Sequence, residues 1–191
     1  EAMRLAEGKR KLAGRVEIDD AYLGGERSGG KPGRGSENKV PFVAAVQTTE
    51  SGKPIVACLR AQPHTLEQVT LFAAQHLAPT ATVVSDGLWC FRATTTVGAA
   101  HQRIVTGGGK ASVGKPEFKA INTLLGNLKT AITGTYHAFD FSKYAHRYLA
   151  EFQFRLNRRF NMRTILHRLQ RSMLRARPVP ERSIRLAEVG A

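Results

Sequence analysis

The sequence predicts an α/β fold, a mixed five-stranded sheet flanked by helices. Three observations predict it. Three strand-like segments come first, Val16 to Tyr22, Val40 to Thr48 and Ile55 to Leu59, and the first alternates apolar and polar residues. A helical segment, Thr65 to Leu77, then precedes two further short strand segments, and such a crossover lets the fourth strand run parallel to a neighbour. Amphipathic helical stretches close the chain and can cover the sheet.

In chain order, residues 1–14 are charged and helix-prone and end at Gly14. A Gly- and Lys/Arg-rich loop, Gly24 to Lys39, follows the first strand. Glu50-Ser51-Gly52-Lys53 is a turn that makes the second and third strands a hairpin. Thr65 suits a helix N-cap, Leu66, Val69, Phe72 and Ala73 fall at helical spacing, and Pro79 is expected to stop the helix. Thr82 to Ser85 and Gln102 to Val105 read as the fourth and fifth strands. A second Gly-rich loop, Gly107 to Lys115, leads into a helix that starts near Pro116, carries Phe118, Ile121, Leu125, Leu128 and Ile132 on one face and ends at Gly134. One long last helix is expected over Phe141 to Arg175, with Leu149, Phe152, Leu156 and Phe160 on one stripe, before a tail at Pro178 and Pro180. The expected division is a helical remnant or linker over 1–15, a core over 16–177 and a tail over 178–191.

The chain has 191 residues, 42% hydrophobic and 7% aromatic, which supports one ordinary domain with a core and excludes disorder throughout. Lys plus Arg number 29 against 15 Asp plus Glu, a net charge of +14. That excess points to a polyanion, nucleic acid ahead of an anionic membrane surface. No apolar run approaches the ~18 residues of a membrane-crossing helix. Two cysteines, Cys58 and Cys90, are too few for a disulfide framework or a four-cysteine zinc site and suit a reducing compartment. The opening Glu1-Ala2-Met3 reads as the middle of a helix, as in a fragment of something longer.

The chemistry centres on carboxylates. Asp19 lies on the face of the first strand opposite Val16 and Ile18, and Asp86 ends the fourth, where open α/β sheets place their sites. If the two strands are neighbours, the two acids meet and repel unless a cation lies between them. Oxygen ligands without thiolates favour Mg²⁺ or Mn²⁺. A polyanion together with carboxylate-held ions suggests phosphodiester chemistry with two metals, one serving the attacking oxygen and one the leaving oxygen. The competing reading is ordinary turn chemistry, since Asp before Gly is common in turns.

Val16-Glu17-Ile18-Asp19-Asp20-Ala21-Tyr22-Leu23-Gly24-Gly25 resembles the first catalytic motif of a family of bacterial insertion-sequence transposases of the DDE superfamily. Val84-Ser85-Asp86-Gly87 is similar to their second motif, and Ile121-Asn122-Thr123-Leu124-Leu125-Gly126-Asn127-Leu128-Lys129 to their third, followed by Gly134-Thr135-Tyr136-His137. Tyr148 to Phe152, Phe154-Arg155 and Asn157 to Phe160 resemble the closing helix. The resemblance covers Val16 to the C-terminus. It implies an RNase H-like, integrase-like core with Asp19, Asp86 and Asn122 as catalytic, metal-holding positions. Most of the superfamily carries Glu at the third. Asn122 offers one neutral carbonyl oxygen instead of a carboxylate, so weaker metal binding or a helping acid is expected, with Glu117 and Glu151 as candidates.

The resemblance further implies Mg²⁺ or Mn²⁺, two ions, and double-stranded DNA as partner, both the element's ends and the target. It implies cleavage at those ends, strand transfer, a homodimer or higher oligomer on DNA, a cytoplasmic, nucleoid-associated location, no membrane role and a DNA-binding region ahead of the core. The rivals are an RNase H-like nuclease or resolvase that cuts without joining, and an inactivated DNA-binding core.

For the DNA backbone the candidates are Lys31, Arg34, Lys39, Lys110 and Lys115 in the basic loops, Lys129 on the third-motif helix, and Arg155, Arg158 and Arg159 in the last helix. Gly25 to Lys31 and Gly109 to Lys115 imitate a phosphate loop, but Pro32 and Pro116 stand where its hydroxyl belongs. His101 and His137 fall within the family motifs and are candidates to lie near the phosphate, against ordinary structural roles. Trp89 and Phe91 follow Asp86 closely and are expected in the core rather than beside a DNA end.

Overall fold

Five strands form one sheet in the order β3-β2-β1-β4-β5. The computed structural model describes residues 1–8, 10–24, 39–105, 114–136 and 140–186. β1 (Leu12–Leu23), β2 (Val40–Thr48) and β3 (Pro54–Ala61) are antiparallel neighbours. β4 (Leu77–Ser85) runs parallel to β1, and β5 (Ala100–Arg103) parallel to β4. This is the RNase H-like sheet expected from the sequence.

Alternation along β1 builds two cores. Val16 and Ile18 pack on one face with Val69, Phe72 and Ala73 of α2 (Leu66–His76) and with Cys90 and Phe91 of a 3₁₀ segment, Trp89–Val97. Leu23 packs on the other face with Ile121, Leu124 and Leu128 of α3 (Lys119–Thr135) and with Ala145, Leu149 and Phe152 of α4 (Phe141–Leu156). Each large buried apolar side chain contributes about 1.5–3 kcal/mol. Capping fixes where helices begin. The Thr65 hydroxyl accepts the Gln68 N–H at 3.3 Å, and Asp140 accepts the Lys143 N–H at 3.0 Å. Short α1 (Ala2–Glu7), which packs on α4, and terminal α5 (Ile165–Arg175) and α6 (Glu181–Arg185) complete the described chain.

Several boundaries differ from expectation. β1 begins at Leu12, fully buried and in register with Leu77, and Gly14 (φ +61°) stands where that register shifts. α2 passes straight into β4, and Pro79 lies inside that strand. Pairing with β5 starts only at Thr82, so the missing N–H of Pro79 leaves no gap there. β5 lies two residues earlier than predicted. The single long last helix is instead α4, a turn, a 3₁₀ segment Met162–Thr164 and α5. The reason is Asn157. Its amide accepts the Ala57 N–H at 2.8 Å and donates to the Ala57 carbonyl at 2.9 Å, fixing the end of α4 to the edge of β3. Phe160 therefore leaves the stripe of Leu149 and Phe152 and is 82% exposed. The expected irregular tail contains α6.

Candidate metal centre on β1 and β4

Parallel pairing sets the site. Ile18 is in register with Ser85, so the next residues, Asp19 within β1 and Asp86 just past the carboxyl end of β4, are neighbours where the parallel pairing ends. Asp19, Asp20 and Asp86 are half-buried, and each offers an oxygen within 4.8 Å of the others. Main-chain N–H groups aim two of the carboxylates. The Asp20 N–H donates to Asp19 Oδ1 at 2.9 Å, and the Leu88 N–H to Asp86 Oδ1 at 3.1 Å. Asp20 Oδ2 stands 3.8 Å from Nδ1 of His64, whose Nε2 donates to the Phe42 carbonyl at 3.0 Å.

Two unit charges at that spacing repel by about 1 kcal/mol in water and about 3–4 kcal/mol at an effective dielectric near 20. A cation reverses the sign of that energy. An all-carboxylate donor set fits a hard divalent ion such as Mg²⁺ or Mn²⁺. Sequence reasoning named Asp19 and Asp86 but not Asp20, because strict alternation sends neighbouring side chains to opposite faces. The available signal is two consecutive acids in the strand.

Asn122 sits in the first turn of α3, and a buried acid docks that turn onto β1. Glu17, 1% exposed, accepts the Ile121 N–H at 2.8 Å through Oε2. Phe118, the N-cap residue of α3, makes no side-chain cap bond, so Glu17 serves as the cap from another element. Arg15 pairs with Glu17 through Nη1 and donates from Nη2 to the Glu117 carbonyl at 2.7 Å. Glu17 stands two positions before Asp19, and Ile121 is adjacent to Asn122, so this contact relates the first and third positions. Leu125 and Lys129 share the Asn122 face of α3 and line a groove of about 390 Å³ with Ala21, Tyr22 and Leu23.

The turn after β4 is equally constrained. Gly87 has φ +100°, and a Cβ there would lie 2.7 Å from Arg103 Nε. Its N–H donates to the buried Ser85 hydroxyl at 3.3 Å, and that oxygen is 2.9 Å from His101 Nε2. Burial, and secondarily the Arg103 charge, push the His101 pKa below its ordinary value. His101 therefore supports the turn that carries Asp86.

Residues 11–157, well over half of the chain, match the ISXO2-like transposase domain. The chain belongs to this family of insertion-sequence transposases of the DDE superfamily. No curated protein matches it, and no solved structure does. Membership makes the chain a DNA transposase domain and DNA its partner. No described helix is long and apolar enough to cross a membrane.

The remaining candidates of this transposase domain separate into groups. Neither Glu117 nor Glu151 joins the acid cluster. One Glu117 carboxylate oxygen is buried without a hydrogen-bond partner, and Glu151 pairs with Arg155 at 2.6 Å. Arg158 is directed inward, paired with Glu7 and stacked 3.6 Å from the Phe154 ring centroid, with its side chain 9% exposed. Arg159 donates to the carbonyls of Pro54, Ile55 and Leu156. Lys39 and Lys115 are half-buried, and Lys129 and Arg155 are exposed. Lys31, Arg34, Lys110 and His137 lie outside the described residues.

Proposed function

We propose that this transposase domain cuts phosphodiester bonds at the ends of an insertion sequence and joins the freed 3′ end to target DNA. Asp19, Asp20 and Asp86 hold divalent ions, Mg²⁺ or Mn²⁺, and Asn122 is the third position. The observation that carries this reading is the three carboxylates within 4.8 Å where the parallel pairing of β1 and β4 ends. When bound, two ions supply Lewis acidity at the scissile phosphate and neutralise its charge. The carboxylates fix where that charge sits, and their N–H donors hold them there. Asn122 adds a neutral oxygen from α3, at the height set by Glu17. Glu117 and Glu151 stand outside the cluster.

Lys39, Lys115, Lys129 and Arg155 hold the DNA backbone in this reading, with Lys31, Arg34 and Lys110 from the basic loops. Arg158 and Arg159 hold α4 against β3, since their guanidiniums point to Glu7 and to carbonyls.

The test is a nicking assay on duplex DNA carrying the terminal repeats that flank the coding region, with a parallel strand-transfer assay using a pre-cut end. Cutting is expected only with Mg²⁺ or Mn²⁺, is lost in Asp86→Asn, and is accompanied by joined product. Wild-type cutting by Asp86→Asn, or undiminished cutting in a chelator, overturns the metal assignment. Cutting without joining identifies a nuclease or resolvase instead. DNA binding without uptake of Mn²⁺ identifies a DNA-binding core.

A further inference from the structure

Trp89 is the single tryptophan of the chain, and it is 57% exposed. Its neighbours Cys90 and Phe91 are fully buried, so the segment had a core within reach and did not place the indole in it. An aromatic ring left in water forgoes one of the larger burial gains available to any side chain. The Arg92 guanidinium stands over the indole, 5.2 Å from its centroid. One guanidinium covers at most one face of a ring. Among the described residues no carboxylate forms an ion pair with Arg92 or with Arg103, whose side chain lies over Gly87.

Place gives this group its meaning. Trp89 is three residues beyond Asp86, a span of at most about 10 Å. The Asp86 carboxylate itself accepts the Leu88 N–H, so the turn leading to Trp89 is tied to the acid cluster. An open aromatic face capped by Arg92 thus begins three residues from Asp86, and Arg103 lies over Gly87, the residue next to that acid.

We propose that Trp89 and Arg92 form a stacking subsite for an unpaired base near the phosphate addressed by the acid cluster, with Arg103 on the adjoining backbone. This rests on the function proposed above and adds the form of the DNA. A base in the interior of a duplex is stacked on both sides and has no face to offer, whereas an unpaired base does. Stacking on an aromatic side chain is worth about 1–3 kcal/mol per base, while extracting a paired base costs a few kcal/mol, so DNA already unpaired is favoured. A reach of about 10 Å corresponds to about three nucleotide steps at 3.4 Å. The stacked base thus lies within about three nucleotides of the cut. A second copy of this chain fits the patch less well, because the ring is set among arginines and the chain carries +14.

A lone tryptophan makes the test direct. The full chain is titrated with two fluorophore-labelled DNAs, a blunt duplex and the same duplex with a short single-stranded overhang. Anisotropy reports binding, and indole emission reports stacking. The overhang DNA is expected to bind about tenfold more tightly than the blunt duplex and to quench Trp89 emission. Trp89→Ala is expected to abolish that preference and leave blunt-duplex affinity unchanged, and Trp89→Phe to retain part of it. Binding of overhang DNA without change in emission, or an undiminished preference in Trp89→Ala, overturns the subsite and leaves the transposase reading standing. Absence of any anisotropy change overturns both. An emission shift on raising protein concentration without DNA assigns Trp89 to contact between copies and overturns the subsite.

Discussion

Acids gather at two places in this molecule, and the two places treat them in opposite ways. Where α4 meets the edge of β3, Glu7 is 2% exposed and fully supplied with donors. Arg158 pairs with one of its oxygens, the Asn157 amide reaches the other at 2.7 Å, and Arg10 approaches at 3.4 Å. Gln153 accepts the Leu59 N–H at 2.8 Å and, with Asn157, covers a strand edge that would otherwise recruit another strand. Where the pairing of β1 with β4 ends, three carboxylates instead crowd within 4.8 Å of one another. A paired acid holds elements together. In the proposed reading, the cluster is kept for the ion it holds. Removing one charge should therefore do opposite things at the two places.

The largest effect belongs to the cluster. Asp86→Asn, and likewise Asp19→Asn, should lower metal-dependent cutting by about 10⁴-fold, some 5 kcal/mol of transition-state stabilisation. Metal-free thermal stability should stay the same or rise, because one repulsive partner is gone. Calorimetry without metal and single-turnover nicking read the two halves. A fall in metal-free stability would place these acids in the same class as Glu7. The seam should show the reverse. Arg158→Ala leaves Glu7 buried beside a lost cation and should cost about 3–5 kcal/mol in urea unfolding, with cutting per folded molecule unchanged. A cost under about 1 kcal/mol, the range of exposed pairs, would dissolve the contrast.

A buried neutral group extends the seam's logic to pH. His76 is fully buried, and the Arg60 Nε–H donates to its Nε2 at 2.9 Å, which requires a lone pair there. Burial, aided by the Arg60 charge, pushes its pKa down from 6.5 to about 4. Above pH 6.5 both folded and unfolded states keep this ring neutral, and its contribution is fully present. Between 6.5 and about 4 the unfolded chain takes up a proton that the folded chain refuses, so stability falls as pH falls. The loss should total roughly 3 kcal/mol by pH 4. Urea unfolding at several pH values, compared with His76→Asn, measures it. Equal pH slopes for the two proteins would remove His76 from the account.

The contrast between the two places was only half legible in the sequence. The mixed five-stranded sheet and the choice of Asp19 and Asp86 as candidates follow from alternation, a crossover helix and ordered motifs, which are local signals; these leave the adjacency of β1 and β4 open. The seam did not follow, because Glu7 and Arg158 are 151 positions apart and look like ordinary charged residues of amphipathic helices. A run of arginines in the last helix reads as a uniform cationic face, yet Arg158 faces Glu7 while Arg155 stays exposed with Glu151. Asp20 was missed for a related reason. Strand periodicity assigns neighbours to opposite faces, but Asp19 and Asp20 stand where β1 extends beyond its parallel pairing with β4, and both offer an oxygen to the cluster. Trp89 was expected to pack like Phe91, but composition does not tell which of two nearby aromatics a short 3₁₀ turn buries.

Glu17 belongs to both classes, and it gives the smallest and most discriminating prediction. It is a paired acid, held by Arg15, yet its second oxygen caps the helix that carries Asn122. Glu17→Gln keeps an oxygen for the Ile121 N–H and removes the charge that holds Arg15. Arg15 is 27% exposed and can regain water, so the stability cost should be modest, about 1–2 kcal/mol. If Glu17 only stabilises the fold, cutting per folded molecule will show an unchanged Mn²⁺ dependence. If it sets the height of Asn122 above Asp19, the Mn²⁺ concentration for half-maximal nicking should rise, by up to about tenfold, the lower end of what outer partners contribute at metal sites. The second outcome is the one expected here, because three residues or fewer separate each end of this contact from a metal-site position. An unchanged Mn²⁺ dependence would return Glu17 to the company of Glu7.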